Sequence, residues 1–351
     1  MLVPRWYWVL LAFAPLALAA RAMGWAPLVI FGASAISLIP LAGLIGLATE
    51  ELAYHLGPRF GGLLNATFGN AAELIITVFA IQRGLLTLVK ASITGSIIGN
   101  TLLVLGMALL AGGVRNGVQR YDPRETSHNS VMMILAIAGL ILPATFAFVD
   151  NDLPVVENIS LIVAGLLLVT YLAYLAYTIT NTDVLEQEGA ANEASWTRRK
   201  SLLVLAAATA GTAVVSEMLV GAVEPVTRQL GWSEFFVGVI IVPIVGNVAE
   251  HFAAVQFAWR NRMDLSLAIA SGSSTQIAVL VAPVLVFLSL AMGKPMNLVF
   301  APLELAILVL ATAVFAYINI DGESNWLEGV QLLALYAMAG VVFFFLPNAL
   351  G

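Results

Sequence analysis

The sequence predicts an all-α integral membrane protein of about eleven transmembrane helices, and three observations carry that prediction. First, 60% of the 351 residues are apolar and only 10% charged, with a mean hydropathy of +0.96. A soluble domain carries roughly 25% charged residues, so this chain lacks the polar surface to face water. Second, eleven windows of bilayer-crossing length follow one another with short polar breaks. Third, a five-residue motif occurs twice at an offset that continues well beyond it. The acidic balance, 21 Asp+Glu against 15 Lys+Arg, argues against nucleic-acid binding. The absence of cysteine removes disulfides, thiolate metal sites and cysteine nucleophiles.

The windows fall in order near residues 6–22, 26–48, 61–82, 88–112, 129–149, 156–180, 201–222, 234–258, 264–290, 297–318 and 326–347. The first has two readings. As a retained helix, residues 1–25 are an addition ahead of the rest; as Arg5, an apolar run and Ala17-Leu18-Ala19, it resembles a cleavable signal peptide. Residues 26–180 form a first group of five spans and 201–351 a second. Between them, residues 181–200 make an acidic linker with Asp183, Glu186, Glu188 and Glu193, closed by Arg198-Arg199-Lys200. Its plain reading is a solvated connector. With eleven spans, ten Lys and Arg, from Arg5 and Arg59 to Arg260 and Arg262, fall on one face, against Arg21, Arg83, Lys90, Arg228 and Lys294 on the other. The positive-inside rule then places the amino terminus in the cytoplasm and the carboxyl terminus outside. Trp6, Trp8, Trp25, Trp232, Trp259 and Trp326 stand at span ends, as an interfacial aromatic belt requires.

Gly69-Asn70-Ala71-Ala72-Glu73 recurs as Gly246-Asn247-Val248-Ala249-Glu250, an offset of 177 residues, and the register holds ungapped through Arg83/Arg260, Gly95/Gly272 and Ser96/Ser273. The chain is therefore read as two homologous halves. Five spans per half is odd, so the second half enters the membrane upside down, the arrangement of alternating-access transporters. Glu73 and Glu250 fall near the bilayer midplane, where a carboxylate costs about 2.5–3.5 kcal/mol on insertion scales and marks function by default. Asn70 and Asn247, each three residues before its glutamate, share a helix face with it. Gly69 and Gly246, with the small Gly95-Ser96 and Gly272-Ser273 pairs, let helices break and turn carbonyls toward the same point. Two carboxylates, two amide oxygens and carbonyls suit a hard divalent cation, and Ca²⁺ tolerates irregular geometry better than Mg²⁺. Two unscreened carboxylates also favour proton uptake when empty, so metal and proton compete for the same groups.

At these residues the chain resembles the cation/proton exchanger family, the Ca²⁺/H⁺ antiporters of the wider cation/Ca²⁺ exchanger superfamily. The resemblance covers essentially the whole chain: an extra first span, two inverted five-span repeats, an acidic linker, and one Gly-Asn-Ala-x-Glu motif per half, the second departing by Val248. It implies that Glu73 and Glu250 couple the ions, that Asn70 and Asn247 are their neighbours in the cation site, and that the linker is cytoplasmic. It implies no cofactor, Ca²⁺ and H⁺ being transported substrates, and a place in the lipid bilayer of a prokaryotic cell membrane. Partners other than these ions are not implied, and a homo-oligomer is compatible with the sequence.

Several residues have both a functional and a plain reading. Thr49-Glu50 and Ser216-Glu217 look like a weaker duplication at opposite ends of the second and seventh spans; they read as cation guides or as ordinary interfacial carboxylates. Glu304, about seven residues inside the tenth span, and Thr275 and Gln276 read as further oxygen donors or as helix–helix hydrogen-bonding groups. His251 points roughly 100° away from Glu250 on a helix and reads as a packing or relay residue as readily as a ligand. An intramembrane metalloprotease lacks its His-Glu-x-x-His helix. A channel is disfavoured by the inverted repeat. A Na⁺/Ca²⁺ exchanger on the same fold is the nearer alternative, although Ala72 and Ala249 stand where that group typically has proline before the glutamate.

Overall fold

The computed structural model describes residues 5–57, 64, 67–180 and 194–346. Arg59 and the linker acids Asp183, Glu186, Glu188 and Glu193 lie outside the described residues. The helices are α1 (Arg5–Leu11), α2 (Phe13–Ala22), α3 (Pro27–Leu56), α4 (Ala71–Arg83), α5 (Leu86–Asn116), α6 (Pro123–Val149), α7 (Leu153–Thr180), α8 (Arg198–Leu230), α9 (Glu234–Trp259), α10 (Met263–Ala291), α11 (Pro302–Ile318) and α12 (Trp326–Phe344). Eight of these contain stretches long and apolar enough to cross a membrane. The shorter apolar ones are the Trp6–Ala22 segment and α11. An all-α reading misses one detail: β1 (Gln119–Arg120) and β2 (Glu323–Ser324) pair antiparallel, with Arg120 bridging Glu323 at 2.9 Å.

Three helices carry an internal π-helical stretch: Gly99–Val104 in α5, Val237–Ile241 in α9 and Ile277–Val281 in α10. Pro243 and Pro283 explain two of them. Each lacks an amide hydrogen and crowds the carbonyl four residues earlier, at Val239 and Val279, so the helix ahead of it widens. The α5 stretch has no such proline and carries Asn100 instead. The α5 and α10 stretches occupy matching places in the two halves, since the repeat offset carries Asn100 onto Ile277 and Val104 onto Val281.

Two compact units draw on both halves of the sequence. The first contains the segments up to Ala80, Val169–Gly231 and Val245–Ala249. Here α3 and α8 pack side by side, and the bare Cα of Gly211 accommodates Leu41, whose Cδ2 lies 3.0 Å from where a Cβ would stand. The buried cluster of Tyr7, Ile45, Ala48, Leu52, Leu205 and Ala208 includes Trp196, the tryptophan that the aromatic belt omits. Its backbone N–H donates to Glu51 Oε2 at 2.9 Å, its carbonyl meets His55 Nε2 at 2.7 Å, and Lys200 Nζ sits 4.4 Å from its ring centroid. Thr197 then caps α8 by accepting from the Lys200 N–H. The end of the linker is thereby pinned to the last turns of α3.

The second unit contains Ile81–Leu168, Trp232–Ile244 and the chain from Glu250 onward. Here α5 crosses the π-helical stretch of α9 at backbone contact: a Cβ on Gly95 would lie 2.6 Å from the Val239 Cα, and one on Gly238 would lie 2.7 Å from the Ala91 Cβ. Only glycine at position 95 permits this crossing.

Candidate functional site

Gly69 and Asn70 form a turn, and α4 begins at Ala71, so Glu73 sits in the helix's first turn. The chain does break at the first motif. A carboxylate there faces the positive end of the helix dipole. Glu73 is only 3% exposed, and among the described residues neither of its carboxylate oxygens has a hydrogen-bond partner. Such a group costs several kcal/mol when ionised unless a cation or proton meets it.

The second motif takes a different local form. Gly246 and Asn247 lie within the continuous helix α9, and the irregularity that the glycine was expected to introduce sits one turn earlier, in the π-helical stretch before Pro243. What Gly246 provides is space. A Cβ on it would stand 3.0 Å from Glu73 Oε1, so the glutamate of one motif rests against the glycine of the other. Asn70 and Asn247 are both buried. Glu250, one turn after Asn247, is half-buried, and His251 beside it is buried.

The small-residue pairs also acquire partners. Ser96 is buried, and Ser273 accepts a hydrogen bond from Asn100 Nδ2 at 3.0 Å. Thr275 is buried with its hydroxyl unpartnered among the described residues, and Gln276 is half-buried at the entrance to the α10 π-stretch. Asn100 was not singled out in the sequence; the available signal was an amide side chain in an otherwise apolar span. Among the described residues no group of three or more His, Asp or Glu could hold a metal ion.

The other candidates have partners of their own. Glu50 is exposed and accepts from the Tyr54 hydroxyl at 3.0 Å. Glu217 pairs with Arg21 of α2 at 3.0 Å, so the extra amino-terminal helix supplies its counter-charge. Glu304 differs in position from the expectation: Met296–Ala301 is non-helical and Pro302 starts α11, which places Glu304 in the first turn rather than seven residues in. There it accepts from the Thr94 hydroxyl at 2.8 Å and from the Ala301 N–H at 2.7 Å. Lys90, counted as a loop charge in the topology argument, lies inside α5.

The family described as Sodium/calcium exchanger protein matches residues 26–180 and 200–345. A Ca²⁺/H⁺ antiporter of Synechocystis is 42% identical, with 97% of each chain covered. The Ca²⁺/H⁺ antiporter ChaA of Bacillus subtilis is also 42% identical, over 95% of this chain and 96% of that one. The solved structure of native YfkE superposes with a TM-score of 0.86 at 40% identity, covering 97% of this chain and all of that one. The H⁺/Ca²⁺ exchanger CAX, at 15% identity and a TM-score of 0.68, shares the fold.

Proposed function

The chain belongs to the sodium/calcium exchanger protein family, and from that premise we propose that it is a Ca²⁺/H⁺ antiporter in which Glu73 and Glu250 hold a divalent cation or protons by turns. The observation that carries this reading is the buried, unpartnered carboxylate of Glu73 lodged against Gly246. In a membrane interior such a group is retained for function. The relatives at 42% identity that carry the name Ca²⁺/H⁺ antiporter support the choice of ions.

The mechanism follows from competition. Two carboxylates balance one Ca²⁺ or two protons with the same net charge. Asn70 and Asn247 supply neutral oxygens that replace part of the cation's hydration, and protonation of either glutamate removes a charge the cation needs. The two halves, 26–180 and 201–351, act as inverted repeats, and α3 with α8 rock to open the site to one side at a time. The protein converts no substrate chemically. It resides in the cell membrane with its amino terminus in the cytoplasm. The test is Ca²⁺ uptake into proteoliposomes driven by an imposed pH gradient, measured with and without Na⁺. Uptake that needs the proton gradient and not Na⁺ supports the reading. The description of the family favours Na⁺/Ca²⁺ exchange as a second reading, and uptake driven by a Na⁺ gradient alone would establish it instead.

A further inference from the structure

A half-buried lysine sits in the second unit, outside the two motifs. Lys90 Nζ donates to Asn297 Oδ1 at 2.6 Å and to the Val299 carbonyl at 2.8 Å. The Glu304 carboxylate lines the same cavity as the lysine but stands beyond direct ion-pair distance from it. Glu304 in turn is held by Thr94, one helical turn beyond Lys90 on α5. An amide oxygen, a backbone carbonyl and a carboxylate are the donors that hard metal cations take from proteins. Here the amide oxygen and the carbonyl hold an ammonium group, with the carboxylate nearby.

A cavity of about 460 Å³ opens beside them. Thr87, Lys90, Asn151 and Glu304 supply its polar lining, and Phe148 and Phe300 are among its apolar walls. A small solute therefore has room to reach these oxygens. The Lys90 ammonium joins α5, which carries Gly95, Ser96 and Asn100, to the segment that leads into α11. Without a cation at this point, the Asn297 and Val299 oxygens would lose their donor and the buried Glu304 carboxylate a nearby positive charge, which is destabilising.

We propose that Asn297 and Val299, with the Glu304 carboxylate nearby, form a monovalent-cation site that the protein fills with its own Lys90, so that α5 is held against the start of α11 without an ion from solution. The lysine is a tethered substitute for a bound ion. This proposal does not depend on which ions the protein transports.

The test uses the purified full-length protein with Lys90→Met, which keeps the apolar stem and removes the charge. Thermal unfolding is followed in a buffer whose only cation is the bulky N-methylglucamine, then with Na⁺, K⁺ or ethylammonium added. The variant is expected to unfold at a lower temperature than the unsubstituted protein and to recover as a small cation is added, with the concentration dependence of a ligand that binds the folded state. Any response of the unsubstituted protein, arising at its transport site, is the baseline that the variant must exceed. In Lys90→Met/Glu304→Gln, where neither charge remains, the response should vanish and stability in N-methylglucamine should return. A single variant as stable as the unsubstituted protein, or destabilised with no cation response, overturns the proposal. Equal responses in both proteins also overturn it. If Lys90→Met does not fold, the double variant decides: its folding supports a charge-compensated site, and its failure contradicts one.

Discussion

A Cβ on Gly246 would stand 3.0 Å from Glu73 Oε1, so the glutamate of the first motif is seated on the glycine of the second. Gly246→Ala presses a methyl group against the carboxylate. The far end of a glutamate can swing aside, so the variant should fold. Its apparent Ca²⁺ affinity should weaken by about tenfold, equivalent to ~1.4 kcal/mol, as read from the Ca²⁺ dependence of uptake. Unchanged affinity would separate Gly246 from the site.

Gly95→Ala should behave differently, because its neighbour is the Val239 backbone, which cannot rotate away. Forcing a methyl group into that crossing should cost about 3 kcal/mol or more, at or beyond the upper end of overpacking. The expected result is little monodisperse protein in size-exclusion chromatography, rather than folded protein with altered transport.

These two glycines show what the sequence made legible. The offset of 177 residues identified both as matched positions and matched Glu73 with Glu250, because a repeat is a one-dimensional pattern. It did not show that Gly95 serves a backbone crossing while Gly246 accommodates a carboxylate, since that depends on which helices meet. The same limit hid Lys90. A lysine near a span end reads as an interfacial charge, and only the fold brings Asn297 and Val299 to it. Glu304 was misplaced within its helix because residues 297–301 are apolar enough to extend the hydropathy window, although Pro302 starts the helix. The extra Trp196 contact was likewise invisible, as a tryptophan beside a charged linker gives no periodic signal.

The Trp196 attachment predicts a stability effect without a transport role. In Glu51→Ala the Trp196 N–H loses its acceptor at a buried position, which should cost about 1–3 kcal/mol. Glu51→Gln retains an acceptor oxygen and should cost less. Thermal unfolding of the two variants checks the order, and equal stability would show that the bond contributes nothing.

The absence of native cysteine allows the access pathway to be probed directly. Glu50→Cys, at an exposed position on α3, should be labelled from the cytoplasmic side, and Glu217→Cys on α8 from the outer side. Their labelling rates should respond to Ca²⁺ in opposite directions, as alternating access requires. Labelling of both from one side would contradict the inverted topology.

The proposed sharing of the carboxylates between cation and proton fixes the sign of the pH dependence. Cation binding needs deprotonated ligands, so Ca²⁺ affinity should weaken as pH falls and strengthen as it rises. Ca²⁺ titrations of the purified protein between about pH 8 and about pH 5.5, the span over which buried carboxyl groups commonly titrate, measure it. A flat profile would exclude direct competition.

The central claim is that the two motif glutamates carry the exchange, and Ca²⁺ uptake by Glu73→Gln and Glu250→Gln proteoliposomes under an imposed pH gradient tests it most directly. The amide preserves volume and removes the titratable charge. Each variant should reconstitute as folded protein and lose proton-driven Ca²⁺ uptake to the level of protein-free vesicles. Near-normal uptake by either variant would contradict the account.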